Sequence, residues 1–83
     1  MQTIIVEVYV PAISGSFDFR LPARGHIGDI VREMTRTLEA TQMGLLFDKD
    51  QPLLFDRENG KILPNALTVA EIKLRDGSQL MLV

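Results

Sequence analysis

No cysteine occurs in the sequence, which rules out a disulfide framework, a thiolate metal site and a cysteine nucleophile. Histidine is nearly absent as well. His26 stands alone, with no cysteine to pair with and no serine close in sequence, so it can act as a base only by meeting a distant acid in space. A surface or helix-start position is the expectation for it. Basic residues are in no surplus, with nine Lys and Arg against eleven Asp and Glu and a net charge of −2, and none of them form a block able to neutralise a run of phosphates. Nucleic acid is therefore not an expected partner. Long apolar runs are missing too, since none approaches the ~20 residues of a membrane span. Met1 to Val10 lacks a basic leader, a long apolar core and a small-residue cleavage site. Together these features lead us to expect a cytoplasmic protein that does not insert into the membrane.

Of the acidic residues, Asp48, Asp50, Asp56 and Glu58 have a passing likeness to a calcium loop. Counting from Asp48, however, Leu53 falls where the loop needs glycine and Asn59 where it needs a bidentate glutamate. These acids are expected in turns and on solvent faces. Ser14-Gly15-Ser16 likewise reads as a turn, without a base or a phosphate-loop context. No catalytic constellation, cofactor site or metal site is expected.

What is present is enough to fold. Hydrophobic residues make up 46% of the 83 and charged ones 24%, too apolar a balance for disorder. One domain over residues 1–83 is expected, burying roughly 60–65% of the surface its unfolded chain exposes.

From Thr3 to Val10 the residues alternate, with Ile4, Val6, Val8 and Val10 on one face and Thr3, Ile5, Glu7 and Tyr9 on the other, the pattern of a half-buried strand. After Pro11 and the Ser14-Gly15-Ser16 turn, Phe17, Phe19 and Leu21 alternate with Ser16, Asp18 and Arg20 up to Pro22, predicting an antiparallel hairpin. The period then lengthens. Ile27, Ile30, Val31, Met34 and Leu38 fall three and four apart on one face of a helix. Its other face pairs Asp29 with Arg32 and Glu33 with Arg36, at about 0.2–0.5 kcal/mol each. Gly25-His26 gives that helix a poor cap, and Gly44 is its expected stop.

Leu45-Leu46-Phe47 reads either as a strand or as a buried loop. Leu53 to Arg57 and Lys61 to Leu63 then flank Glu58-Asn59-Gly60, and Asn-Gly is a strong signal for a tight hairpin turn. Pro64 ends that hairpin. Thr68-Val69-Ala70-Glu71 has the spacing of a capping box, and Asp76-Gly77 opens a last strand with Leu80 and Leu82 on one face and Gln79, Met81 and Val83 on the other.

Strand, strand, helix, strand, strand, short helical turn and strand in about eighty residues resembles the β-grasp fold of ubiquitin. Met1-Gln2 followed by Ile4, Val6 and Val8 looks like the first strand of ubiquitin, Ile27, Ile30 and Met34 match its helix stripe, and Leu67-Thr68-Val69 through Leu80-Met81-Leu82 looks like its closing segment. The resemblance implies an α+β fold, a mixed sheet with one main helix packed on one face. Ubiquitin and sulfur carriers react through a tail ending in two glycines, whereas this sequence ends at Leu82-Val83, so docking without covalent conjugation is expected.

Among ubiquitin-like proteins, small bacterial ones without the diglycine are similar to the YukD/EsaB family that accompanies type VII secretion systems. That family tends to end Gly-Ile-x-x-Gly-Asp-x-Leu-x-Leu. Here Lys73-Leu74-Arg75-Asp76-Gly77-Ser78-Gln79-Leu80-Met81-Leu82 lacks the first glycine and reverses Gly-Asp. The resemblance implies a bacterial accessory that docks on membrane-bound secretion components, by analogy also with the ubiquitin-like domain fused to a membrane subunit in actinobacterial systems. The alternative is a small ubiquitin-like subunit of a multicomponent enzyme, which would also lack catalytic residues.

If the first and last strands are neighbours, as in that fold, Ile5, Tyr9, Met81 and Val83 share the face opposite the helix and form an apolar patch for a protein partner.

Overall fold

The computed structural model describes residues 2–47 and 52–83. Alternation places β1 at Thr3–Val10, where Val6, Val8 and Val10 point into the core. Pro11 fixes a single 3-10 turn over Pro11–Ile13, closed by the Ser14 N–H on the Pro11 carbonyl at 3.1 Å with Ser14 left-handed at φ 50°. The chain returns as β2, Gly15–Pro22, antiparallel to β1 with Val6 opposite Phe19 and Val8 opposite Phe17.

The main helix α1, Ile27–Thr41, buries Ile27, Ile30, Val31, Met34 and Leu38. His26 is its N-cap and makes no side-chain cap bond. Backbone from a distant segment does that work, as the Ile27 N–H donates to the Leu67 carbonyl (2.9 Å) and the Gly28 N–H to that of Asn65 (3.0 Å). The helix stops at Thr41, short of the expected Gly44, which at φ 81° lies in the turn beyond it. That turn carries Leu45 back into the core while Leu46 stays exposed, so 45–47 is a loop with one buried anchor and no strand. Glu39 fixes it by accepting the Phe47 N–H at 3.0 Å.

Strand β3 is Leu54–Asp56. In the following turn Asp56 Oδ1 accepts the Glu58 N–H (2.8 Å), Asn59 Oδ1 accepts the Lys61 N–H (2.9 Å), and Gly60 adopts φ 72°. The returning arm is reduced to a single bridge of Ile62 to Phe55, flanked by the Asp56 N–H on the Lys61 carbonyl and the Leu63 N–H on the Leu54 carbonyl, each at 2.9 Å. Thr68 and Glu71 cap α2, Val69–Ile72, with both bonds of the capping box present. Gly77, at φ 85°, turns the chain into β4, Gln79–Leu82, and donates its N–H to the Ile5 carbonyl at 2.9 Å.

The sheet order is β2-β1-β4-β3, with β1 and β4 parallel and both outer pairs antiparallel. Parallel neighbours need a crossover, and α1 lies within it, on one face of the sheet. Val8, Leu54, Leu80 and Leu82 meet Ile27, Val31, Met34 and Leu38 in the core between these layers. This α+β arrangement is the β-grasp expected from the sequence.

Candidate functional site

Because α1 covers one face of the sheet, the strand residues pointing the other way have, among the described residues, no layer above them. The parallel register sets Tyr9 beside Met81, the antiparallel register sets Met81 beside Phe55, and the isolated bridge sets Phe55 beside Ile62. One apolar row therefore crosses the open face through β1, β4, β3 and the Ile62 arm, with Ser16 of β2 at its outer end. Leu53 and Val83 bond to each other in both directions at 2.9 Å, adding a second apolar pair beside Met81 and Phe55. Ile62 is 52% exposed and Val83 39%, while Tyr9, Phe55 and Met81 are half-buried against one another.

On its other flank the cluster is bounded by polar residues. Asp18 stands opposite Glu7, Glu7 opposite Gln79, and the Arg57 N–H donates to the Gln79 carbonyl at 3.0 Å. Arg57 turns back over the Tyr9 ring, its guanidinium carbon 5.0 Å from the centroid, a cation–π contact that leaves a cation at the margin of the patch.

Of the four residues expected to form the surface, the structure brings together Tyr9, Met81 and Val83. Ile5, though 44% exposed on the same face, lies two rows away between Arg20 and Gly77, about 13 Å along the strand from Tyr9 with Glu7 and Gln79 in the way. The sequence reading missed Leu53, Phe55 and Ile62. Burial of Leu54 signals the outward pointing of its neighbours Leu53 and Phe55, but placing them beside Met81 requires knowing that β3 pairs with β4.

His26 is exposed at the head of α1, and Asp56 is engaged in its own turn. Asp48 and Asp50 lie outside the described residues. Among the described residues no group of three or more potential metal ligands comes together, and no helix is long and apolar enough to cross a membrane.

No family model matches the chain, and no curated protein matches it in sequence. Solved structures do. A chain of the toluene 4-monooxygenase HD complex with 4-bromobenzoate superposes with a TM-score of 0.82 at 8% identity, covering 99% of this chain and 98% of that one. The EccD5 ubiquitin-like domain from Mycobacterium xenopi gives 0.76 at 19% identity, covering 100% and 94%, and the ubiquitin-like domain of Plasmodium falciparum Dsk2 gives 0.74 at 17%, covering 99% and 97%. Sheet order, helix placement and these whole-length superpositions together show that the chain has the ubiquitin-like β-grasp fold.

Proposed function

We propose that the protein is a non-conjugating ubiquitin-like adaptor that acts by docking the open face of its sheet on another protein. The observation that carries this reading is the unbroken row Tyr9–Met81–Phe55–Ile62, extended by Leu53 and Val83 and edged by Arg57. An aromatic pair and a flexible methionine with a charged rim is the composition of a protein-binding surface. No step of such docking requires a nucleophile, a metal or a cofactor, and the protein is read as a non-enzyme.

The finer reading is an accessory of a bacterial type VII secretion system, working in the cytoplasm against membrane-bound components. It is supported by the likeness to the YukD/EsaB family drawn from the sequence, although residues 73–82 depart from that family's ending, and by the fold shared with the EccD5 domain. A second reading, a small structural subunit of a multicomponent enzyme, is favoured by the near-complete mutual coverage with the chain of the toluene 4-monooxygenase complex.

Affinity capture of the tagged protein from detergent-solubilised extract of its own cells separates the two. Recovery of a secretion ATPase or channel subunit supports the first, and recovery of oxygenase-type subunits with no secretion component supports the second. In either case Ile62→Asp and Met81→Asp should abolish capture, whereas Ile5→Asp should leave most of it. Loss with Ile5→Asp alone moves the surface to the other end of the sheet. Loss with none of the three, in variants that denature like the wild type, removes the open face from the function.

A further inference from the structure

Among the described residues, strand β2 pairs with β1 along one side and with no strand along the other. The direction of its backbone groups follows from β1. Ile5 and Glu7 turn their backbone groups toward the β4 side, with the Ile5 N–H on Asp76 Oδ1 (2.8 Å), the Gly77 N–H on the Ile5 carbonyl (2.9 Å) and the Glu7 N–H on the Ser78 carbonyl (3.0 Å). Ile4, Val6 and Val8 consequently bond to Leu21, Phe19 and Phe17, and the N–H and C=O groups of Ser16, Asp18 and Arg20 point out along the free edge.

The charges on that edge are unbalanced within the chain. Asp18 stands opposite Glu7, two carboxylates in register, an arrangement that costs stability. Among the described residues neither Asp18 nor Arg20 has an ion-pair partner, and the pairs present are Asp29 with Arg32 and Glu33 with Arg36 on α1. Beneath the edge runs an apolar groove of about 300 Å³ between β2 and α1, lined by Phe19, Leu21, Pro22, Ile30 and Met34. Phe17 and Phe19 point to the core side but are only half covered by the helix.

From the self-complementary charges of this edge we propose that it pairs antiparallel with β2 of a second copy, in the register that puts Phe19 opposite Phe19 on the twofold axis. Only residues whose backbone groups point outward can form hydrogen-bonded pairs, which restricts the possible registers to a few. One sets Asp18 against Asp18 and another Arg20 against Arg20, both repulsive. A third pairs Asp18 only with Ser16 and shortens the ladder. The remaining register sets Asp18 of each copy against Arg20 of the other, two reciprocal ion pairs on the open face, and gives each Glu7–Asp18 carboxylate pair the cation it lacks. On the core side Phe17 faces Leu21 of the second copy, and the two Phe19 rings meet above the adjoining grooves. Pro22, without an N–H, terminates the ladder at each end. The result is a continuous eight-stranded sheet that leaves the Tyr9–Met81–Phe55–Ile62 row free on both copies, so the pairing does not depend on the docking reading.

Sedimentation over a concentration series into the millimolar range tests this. The wild type should pass from monomer to dimer, and the Asp18 and Arg20 amides should slow in hydrogen exchange by about tenfold or more as it does. Asp18→Arg alone and Arg20→Asp alone should each be monomeric where the wild type dimerises, since each sets like charges together twice. Mixed in equal amounts they should form a heterodimer in which both ion pairs are restored. A wild type that stays monomeric throughout overturns the proposal. So does a dimer that survives both reversals, which would lie on another face. Protection of the two amides only on adding an extended peptide would assign the edge to a foreign strand and overturn self-pairing.

Discussion

Arg57 lies over the ring of Tyr9, 5.0 Å from guanidinium carbon to centroid, and joins the polar margin of the open face to its aromatic anchor. Tyr9 lies on β1 and Arg57 just beyond the end of β3, with β4 between them, so the contact spans the sheet and holds the Tyr9 ring in place without burying it. Arg57→Ala should lower stability by about 0.5 kcal/mol, with Arg57→Lys retaining part of that. The sequence has a single tyrosine and no tryptophan. Intrinsic fluorescence therefore reports on Tyr9 directly, and its change in the Arg57→Ala variant, read beside a urea denaturation curve, checks the contact.

Glu7 and Asp18 oppose each other across β1 and β2, and among the described residues neither forms an ion pair. Replacing one carboxylate by a cation converts a repulsive cross-strand pair into an attractive one. Glu7→Lys should therefore stabilise the fold by about 0.5–1 kcal/mol at low ionic strength. Most of that gain should disappear in molar salt, because the pair is at the surface. Denaturation midpoints at the two ionic strengths measure both effects, and a Glu7→Lys variant less stable than the wild type would contradict the register.

The capping box of α2 makes stability depend on pH. Glu71 accepts the Thr68 N–H at 2.9 Å, and its own N–H donates to Thr68 Oγ1 at 3.2 Å. The backbone hydrogen bond from Thr68 holds the Glu71 carboxyl below its ordinary value. A carboxyl depressed in the folded state contributes its stability above the unfolded pKa and loses it as pH falls through the folded one. Glu71→Gln keeps the reach to the Thr68 N–H but cannot titrate, so the stability gap between it and the wild type should narrow on acidification below the ordinary carboxylate range. Thr68→Ala should cost about 1 kcal/mol at neutral pH through the lost cap. Urea titrations across the acid range of the three proteins check these expectations.

How much was legible in the sequence varies by element. The faces of β1 and β2, the buried stripe of α1, the Asn59-Gly60 turn and the Thr68–Glu71 cap all follow from side-chain periods and local hydrogen-bond chemistry, which act within a few residues. The end of α1 was less legible. Gly44 signals a stop, but the helix ends at Thr41 because the chain must turn early enough to return Leu45 to the core. Its start was marked poorly because its caps are the carbonyls of Asn65 and Leu67, far away in sequence.

By itself, then, the sequence determined which residues point in and which point out, because alternation and helical spacing are properties of one segment. Tertiary structure decided which outward residues are neighbours. The parallel register of β1 with β4 placed Tyr9 beside Met81 and carried Ile5 away from both, and the β3 ladder with the Ile62 bridge supplied Phe55 and Ile62 to complete the row. Register between strands distant in the chain is fixed by the packing of their inward faces on the helix, and no local pattern of residues encodes it.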